Sequence, residues 1–387
     1  MFDFYPQLKQ RFAALRTRAE FFSLRYVSEA GQYLSVRKNV AEPPAFKHDQ
    51  GAMLTVRLRG IEAYAATNDL SQTGLQAALD RAEAQAQLIA AHALLNLSQE
   101  PVSHERADYF SPDLDQAFPS LNHCFELLAA ESAGVPKDER LVSWVVSLGL
   151  NTVEQIYLNS AGAELRQVQR FVYPGMTVTA YDGQDSQTRS LGRDNFGQQG
   201  GVDVISRCGL IGAAPTVADQ ALQLLMAPNT PAGKRDLLLM PDQMILQIHE
   251  SIGHPLELDR ILGDERNYAG TSFVKTSDFG SLQYGSDLLN VTFDPDIPEQ
   301  LGSYSHDDDG TPAHKQFLIR QGVLLRPLGS ALSQFRSGLE GVANSRASSW
   351  NRPPIDRMAN LNIEPGDQSM AQMIGGIENG ILMANNR

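Results

Sequence analysis

Cysteine is almost absent from this chain: Cys124 and Cys208 are the only two in 387 residues. A lone, widely separated pair gives no disulfide framework and fits a reducing compartment, so a cytoplasmic location is expected. Long apolar runs are missing as well. Nothing approaches the roughly 20 residues of a membrane-crossing helix. The opening MFDFYPQLKQRF has no charged stretch followed by an apolar one, so neither a membrane anchor nor a signal peptide is expected. Positive charge is in deficit: 32 Lys and Arg stand against 45 Asp and Glu, a net charge of −13. Phosphate binding needs concentrated cations, which argues against nucleic acid as the main partner. No glycine-rich phosphate loop and no nucleophilic-serine elbow is present. What remains is ordinary for a globular protein, 42% apolar and 20% charged, with length for two domains.

Periodicity along the chain predicts an α+β architecture. A first helix over 4–19 is followed by strands at 21–27, 33–40, 52–58 and 61–66. Asn68–Ser71 ends this sheet and supplies a cap for a long Ala-rich helix over 73–95. Residues 96–117 read as a connector. The pattern then repeats, with a helix over 120–132, strands at 140–148, 154–159, 164–172 and 176–181, and a helix over 216–226. Links this short predict antiparallel sheets with long helices. The expected N-terminal α+β domain is 1–225, with possible subdomains at about 1–100 and 118–225. After the linker 228–233, residues 226–387 are expected to form a mainly-β domain. Its strands fall at 236–240, 272–276, 289–293, 314–320 and 323–327, with a turn at Gln321-Gly322 and a last helix over 369–378.

The stretch that concentrates chemistry is Met244-Ile-Leu-Gln-Ile-His249-Glu250-Ser-Ile-Gly-His254-Pro255. Neutral imidazole is a common zinc ligand, and a carboxylate beside the metal can take a proton from water. A histidine on a helix is, on its own, more often a surface or core residue than a ligand. The zinc-protease helix spells H-E-x-x-H, with its histidines four apart on one face. Here they are five apart, about 140° around an ideal helix. Gly253 and Pro255 predict that the helix ends near Gly253 and that His254 turns back from its exit. Asp242, after Pro241, is the expected cap, and Met244, Ile245, Ile248 and Ile252 the expected core-facing stripe.

The run 231–274, including HESIGHPLELDR and ERNYAGTSFV, resembles the TldD/PmbA (TldD/TldE) family of bacterial and archaeal metalloproteases. GAMLTVRLRGIEAYAATNDLS at 51–71, HDDDGTP at 306–312 and DRMANLNIEPGD at 356–367 resemble further signatures of that family. Because His249, Glu250 and His254 are all kept, the likeness is to the catalytic TldD-like branch. The resemblance implies zinc, short or unstructured peptide substrates, and a dimer, either of two copies or with a PmbA-like partner. It also implies a third ligand, a cysteine far downstream in longer chains. Cys124 and Cys208 lie upstream and do not match it. The sequence ends at Arg387 before that region, so a C-terminal segment is expected to be missing.

Other polar positions carry weaker expectations. Glu257 and Asp259 are either metal carboxylates or, with Arg260, a local ion-pair cluster. His306-Asp307-Asp308-Asp309-Gly310 lacks the spacing of a calcium loop and reads as an acidic turn; the resemblance sets it near the cleft. His314 is a candidate oxyanion donor. Arg357 and Asn360 are expected to give structural support. Cys124, beside His123, and Cys208 are expected to be structural, with Cys208 a remote candidate ligand. The expected function is a zinc-dependent peptidase: His249 and His254 bind metal, and Glu250 is the general base. The alternative is a non-catalytic or truncated, inactive subunit that encloses or holds peptides.

Overall fold

A computed structural model of the chain describes residues 4–191 and 196–384. The α+β expectation holds, but the two N-terminal halves share one sheet. Its central strands run in the order Ile61–Thr67, Ala45–Leu58, Phe21–Arg37, Leu141–Asn159, Glu164–Tyr181, Arg106–Phe110. Strands expected as pairs fuse: Phe21–Arg37, Leu141–Asn159 and Glu164–Tyr181 are each unbroken. Gly31, Gly149 and Pro174 lie in the gaps expected between those strands. Each is held in register instead, by Gly31↔Asn151, Tyr33↔Gly149 and Leu148↔Pro174 pairing. Long neighbours supply enough ladder bonds to carry a weak strand former through.

The stretch 96–117 is not only a connector. Arg106–Phe110 adds to Glu164–Tyr181 in parallel, an exception to the antiparallel expectation. Parallel pairing needs a long crossover. The helix Leu121–Ala133 and the strand Leu141–Asn159 lie between the two partners and provide it.

Side chains alternate across a sheet, so each long strand has two characters. Leu24, Leu34, Val36, Leu148, Ile156, Val172 and Met176 lie on one face and are buried under the helices Phe4–Ala14, Gln72–Ile89, Leu121–Ala133 and Ala214–Met226. Ser71 caps the second of these helices, accepting from the Gly74 N–H. Arg25, Glu29, Gln155, Gln167 and Gln169 point the other way and form a polar wall. The C-terminal half packs against that wall. Gln167 Nε2 donates to the His306 carbonyl at 2.8 Å, and Gln169 Nε2 donates to the Ser303 carbonyl at 2.7 Å.

The C-terminal half centres on a small antiparallel sheet in the order Val323–Leu324, Gln316–Arg320, Val291–Phe293, Leu361–Ile363. Phe293, Leu318, Ile319, Leu324 and Leu328 form its core with Ile252 and Leu256 from the motif region. The last helix is Met370–Gly375, and a strand not expected from the sequence, Gly380–Met383, pairs in parallel with Asp236–Leu239. Residues 272–276 carry no ladder; a short 3₁₀ turn occupies Thr276–Asp278. Among the described residues no helix is long and apolar enough to cross a membrane.

Candidate metal centre

The motif helix Pro241–Ile248 starts with proline in its first turn, where a missing N–H costs little. The expected cap is not made: Met240 holds the cap position, and Asp242 sits in the first turn, near the positive end of the helix. Nor is the helix deeply buried. Ile245 is 42% exposed and only Ile252 of the predicted stripe reaches the core.

At His249 the helix does not end. It widens into a π turn, His249–Gly253, closed by the His254 N–H donating to the His249 carbonyl, and resumes as His254–Leu256. Because π turns close from residue i to i+5, residues five apart stack on one side. His254 keeps helical angles, φ −58° and ψ −40°, although proline follows it. Pro255 has no N–H to offer the Ser251 carbonyl, and the Tyr284 hydroxyl donates there instead. The expected exit at Gly253 is therefore replaced by a continuous helix with a local bulge.

The two imidazoles consequently face each other, ring centroids 4.5 Å apart and planes at 89°. One donor atom each from His249, Glu250 and His254 lies within 4.8 Å of the others. Among the described residues this is the one such group of three or more His, Cys, Asp or Glu. Two imidazole nitrogens suit a borderline ion such as zinc, and a carboxylate oxygen beside them can take a proton from water at such an ion. Partial burial, and then the nearby His254, hold the His249 pKa below the ordinary imidazole value, which favours its neutral, ligating form. Glu250 is exposed and open to water.

Behind His254 the environment is closed. Its Nδ1 lies 2.8 Å from Glu257 Oε2, which also accepts from Arg260 Nη2 at 3.0 Å and Nε at 3.2 Å. Arg357 Nη1 lies 3.7 Å from Glu257 Oε1. The ion-pair reading of Glu257 and Arg260 thus describes the geometry, and Arg357 joins it from a distant signature. Asp259 does not belong to this cluster. Its N–H donates to Asp356 Oδ2 at 2.9 Å, and the Asp356 N–H donates to Asp259 Oδ2 at 3.2 Å. Cys208 and Cys124 are buried in the N-terminal hydrophobic core, away from the ligand group.

His249 forms part of the wall of a cavity of about 570 Å³ lined by both halves of the chain, including Arg25, Gln155, Tyr304, Asp308 and Trp350. His306 lines it too, with Nδ1 2.9 Å from the Ser305 hydroxyl. The acidic turn is tied into the structure: Asp308 accepts from Gln155 Nε2 at 2.8 Å and the Ala347 N–H at 2.7 Å, and Asp307 accepts from the Thr311 N–H at 2.9 Å. Asn360 accepts the Gly302 N–H and donates to the Ser303 hydroxyl, a support role. His314 is exposed. A larger cavity, about 900 Å³, contains none of the three motif residues. Tyr304 and Trp350 carried no sequence signal. The polar wall did, in the polar residues alternating with apolar ones along three strands.

Family models described as PmbA/TldA metallopeptidase domain 1, central domain and C-terminal domain match residues 22–86, 115–225 and 232–386. The chain belongs to the PmbA/TldD family. A metalloprotease of Methanothermobacter thermautotrophicus is 30% identical over 250 residues, 64% of this chain and 52% of that protein. The chain therefore spans about half the length of that relative. A Synechocystis metalloprotease is 25% identical over 389 residues, covering 98% of this chain and 78% of its own. A Saccharolobus solfataricus protein named zinc metalloprotease TldD homolog is 28% identical over 160 residues, 41% of this chain and 34% of its own. The structure of TldE from Thermococcus kodakarensis shares the fold, with a TM-score of 0.71 at 16% identity over 99% of this chain and 81% of that one.

Proposed function

We propose that this PmbA/TldD-family chain is a zinc-dependent peptidase acting on short or unstructured peptides. In this reading His249 and His254 hold the metal and Glu250 is the general base. The observation that carries the proposal is the convergence of three donor atoms within 4.8 Å beside a cavity whose wall includes His249. When bound, zinc would supply Lewis acidity and lower the pKa of water. The exposed Glu250 carboxylate takes a proton from the attacking water and passes it to the leaving amine. The cavity, lined by polar sheet side chains and by Trp350, holds the peptide and limits access of bulk water. Residues 226–387 form the metallopeptidase domain and 1–225 the domain that supplies the sheet wall. The assembly is a dimer, of two copies or with a PmbA-like partner.

Glu250→Gln is the test. Removing a general base costs about 10²–10⁴-fold in rate. Hydrolysis of a short-peptide library, read by mass spectrometry, should fall by that order while zinc content stays at the wild-type level. Near-normal turnover would remove Glu250 from the mechanism. One observation favours a second reading. The ligand group has two imidazoles, whereas catalytic zinc sites have three protein ligands besides the water. A subunit that holds peptides without cutting them would fit this. Elemental analysis separates the two, with about one zinc per chain supporting the first and none the second.

A further inference from the structure

We propose that Glu257 is a positioning residue for the metal centre: its buried carboxylate keeps the His254 proton on Nδ1 and leaves Nε2 to face the ion. The proposal rests on the reading of His254 as a ligand. Glu257 is 0% exposed, and a charge so placed survives only with partners. Its Oε2 is approached by His254 Nδ1 at 2.8 Å and by two nitrogens of Arg260. Its Oε1 has no hydrogen bond and faces the Arg357 guanidinium at 3.7 Å.

Two tautomers compete at His254. Arg260 Nη2 lies 3.2 Å from Nδ1 and could donate to it, which would put the ring proton on Nε2 and block metal binding there. A carboxylate set between two guanidinium groups only accepts, so the shorter 2.8 Å contact requires the proton on Nδ1. Arg260 has other acceptors: Nη2 and Nε donate to Glu257, and Nη1 donates to the Ala269 carbonyl at 2.8 Å. The 2.8 Å contact therefore wins.

The backbone holds this arrangement. Glu257 lies between the short helices His254–Leu256 and Leu258–Leu262 in an extended conformation, φ −62° and ψ 116°. The Leu258 N–H donates to the Leu328 carbonyl at 2.8 Å, and the Leu328 N–H donates to the Leu256 carbonyl at 2.8 Å. This break in the helix turns the carboxylate back beneath His254. With Oε2 engaged by His254 Nδ1 and Arg260 and Oε1 turned toward Arg357, Glu257 acts through His254. Loss of such a partner costs about 10–100-fold in metal affinity.

The test uses the full chain, ¹⁵N-labelled at histidine and free of metal, in the wild type and in Glu257→Gln, which keeps side-chain volume and avoids a cavity. Ring-nitrogen shifts at about pH 8, where imidazole is neutral, report the tautomer. Zinc affinity comes from competition with a chelator. The expected result is a His254 Nδ1–H tautomer in the wild type, a loss of that preference in Glu257→Gln, and zinc binding weakened about 10–100-fold. A wild-type His254 with its proton on Nε2 would overturn the proposal. So would a Gln variant with an unchanged tautomer and zinc affinity within about twofold, well short of the usual second-partner effect. If the wild type takes up no zinc, the ligand reading falls and takes the metal role of Glu257 with it, while an Nδ1–H tautomer in that protein still upholds the hydrogen bond.

Discussion

Asp259→Asn should flatten the pH dependence of stability in the C-terminal half. Asp259 and Asp356 are 6% and 1% exposed and exchange backbone hydrogen bonds carboxylate to amide. Burial, and then the Asp356 charge, push the Asp259 pKa from 3.8 up to about 7. Over that window the folded chain keeps a proton that the unfolded chain has lost. The folded value being the higher one, this stabilising contribution is fully present below the unfolded pKa and is lost as pH rises through about 7. Worked through proton linkage, the loss between about pH 5 and pH 8 is roughly 2.5 kcal/mol. Asn cannot ionise, so this part of the slope disappears. It also forfeits one acceptor, Oδ1 to the Arg260 N–H or Oδ2 to the Asp356 N–H, at roughly 1 kcal/mol at every pH. Urea unfolding of both proteins, followed by Trp350 fluorescence in a Trp144→Phe background, gives the comparison. Glu100 and Asp309, with pKa values raised to about 7 and about 6, leave a residual slope in both proteins. The informative quantity is therefore the difference between the two slopes. A variant that loses stability as steeply as the wild type over this range would refute the reasoning.

The remaining predictions concern packing around the site. In Gly253→Ala the new Cβ would lie 1.9 Å from Met358 Sδ and 3.2 Å from Leu361 Cδ1. The overpacking, about 1–3 kcal/mol, should outweigh a helix-propensity gain of about 1 kcal/mol. Lower urea stability and weaker zinc uptake are expected, and a variant as stable and as metal-competent as the wild type would contradict the tight packing of the π turn. Gly51→Ala would drive a methyl to 2.3 Å from the Trp350 ring and displace the indole that donates to Asp49 at 3.0 Å. A red-shifted Trp350 emission and a loss of about 1–3 kcal/mol are expected, and unchanged emission would count against the contact.

The N-terminal helices and sheet were legible because their signals are local. Ser71 caps where the sequence expected a cap, and the Ala-rich run forms the helix Gln72–Ile89. The joining of Phe21–Arg37 to Leu141–Asn159 was not legible, because it pairs residues more than a hundred positions apart. The gaps expected between strands, which contain Gly31, Gly149 and Pro174, arise for the same reason: the conformations there are fixed by the neighbouring strand. Arg106–Phe110 was hidden inside a polar connector because an edge strand of five residues has too little periodicity to register.

At the candidate site, the sequence by itself determined which chemical groups are present and that His249, Glu250 and His254 fall within six consecutive residues. It also contained the alternation that turns Arg25, Gln155 and Gln167 away from the helical core. Only the tertiary structure decided that the helix runs on through a π turn and stacks residues five apart. Gly253 and Pro255 favour termination, a local preference. Burial of Ile252 and Leu256, 7% and 0% exposed, contributes roughly 1.5–3 kcal/mol each and pulls the chain onward into the C-terminal core. The partner that faces the rear of His254 was likewise a tertiary matter. Glu257 is three residues away in sequence, but its orientation depends on Arg260, Arg357 and the Leu328 backbone packed around it.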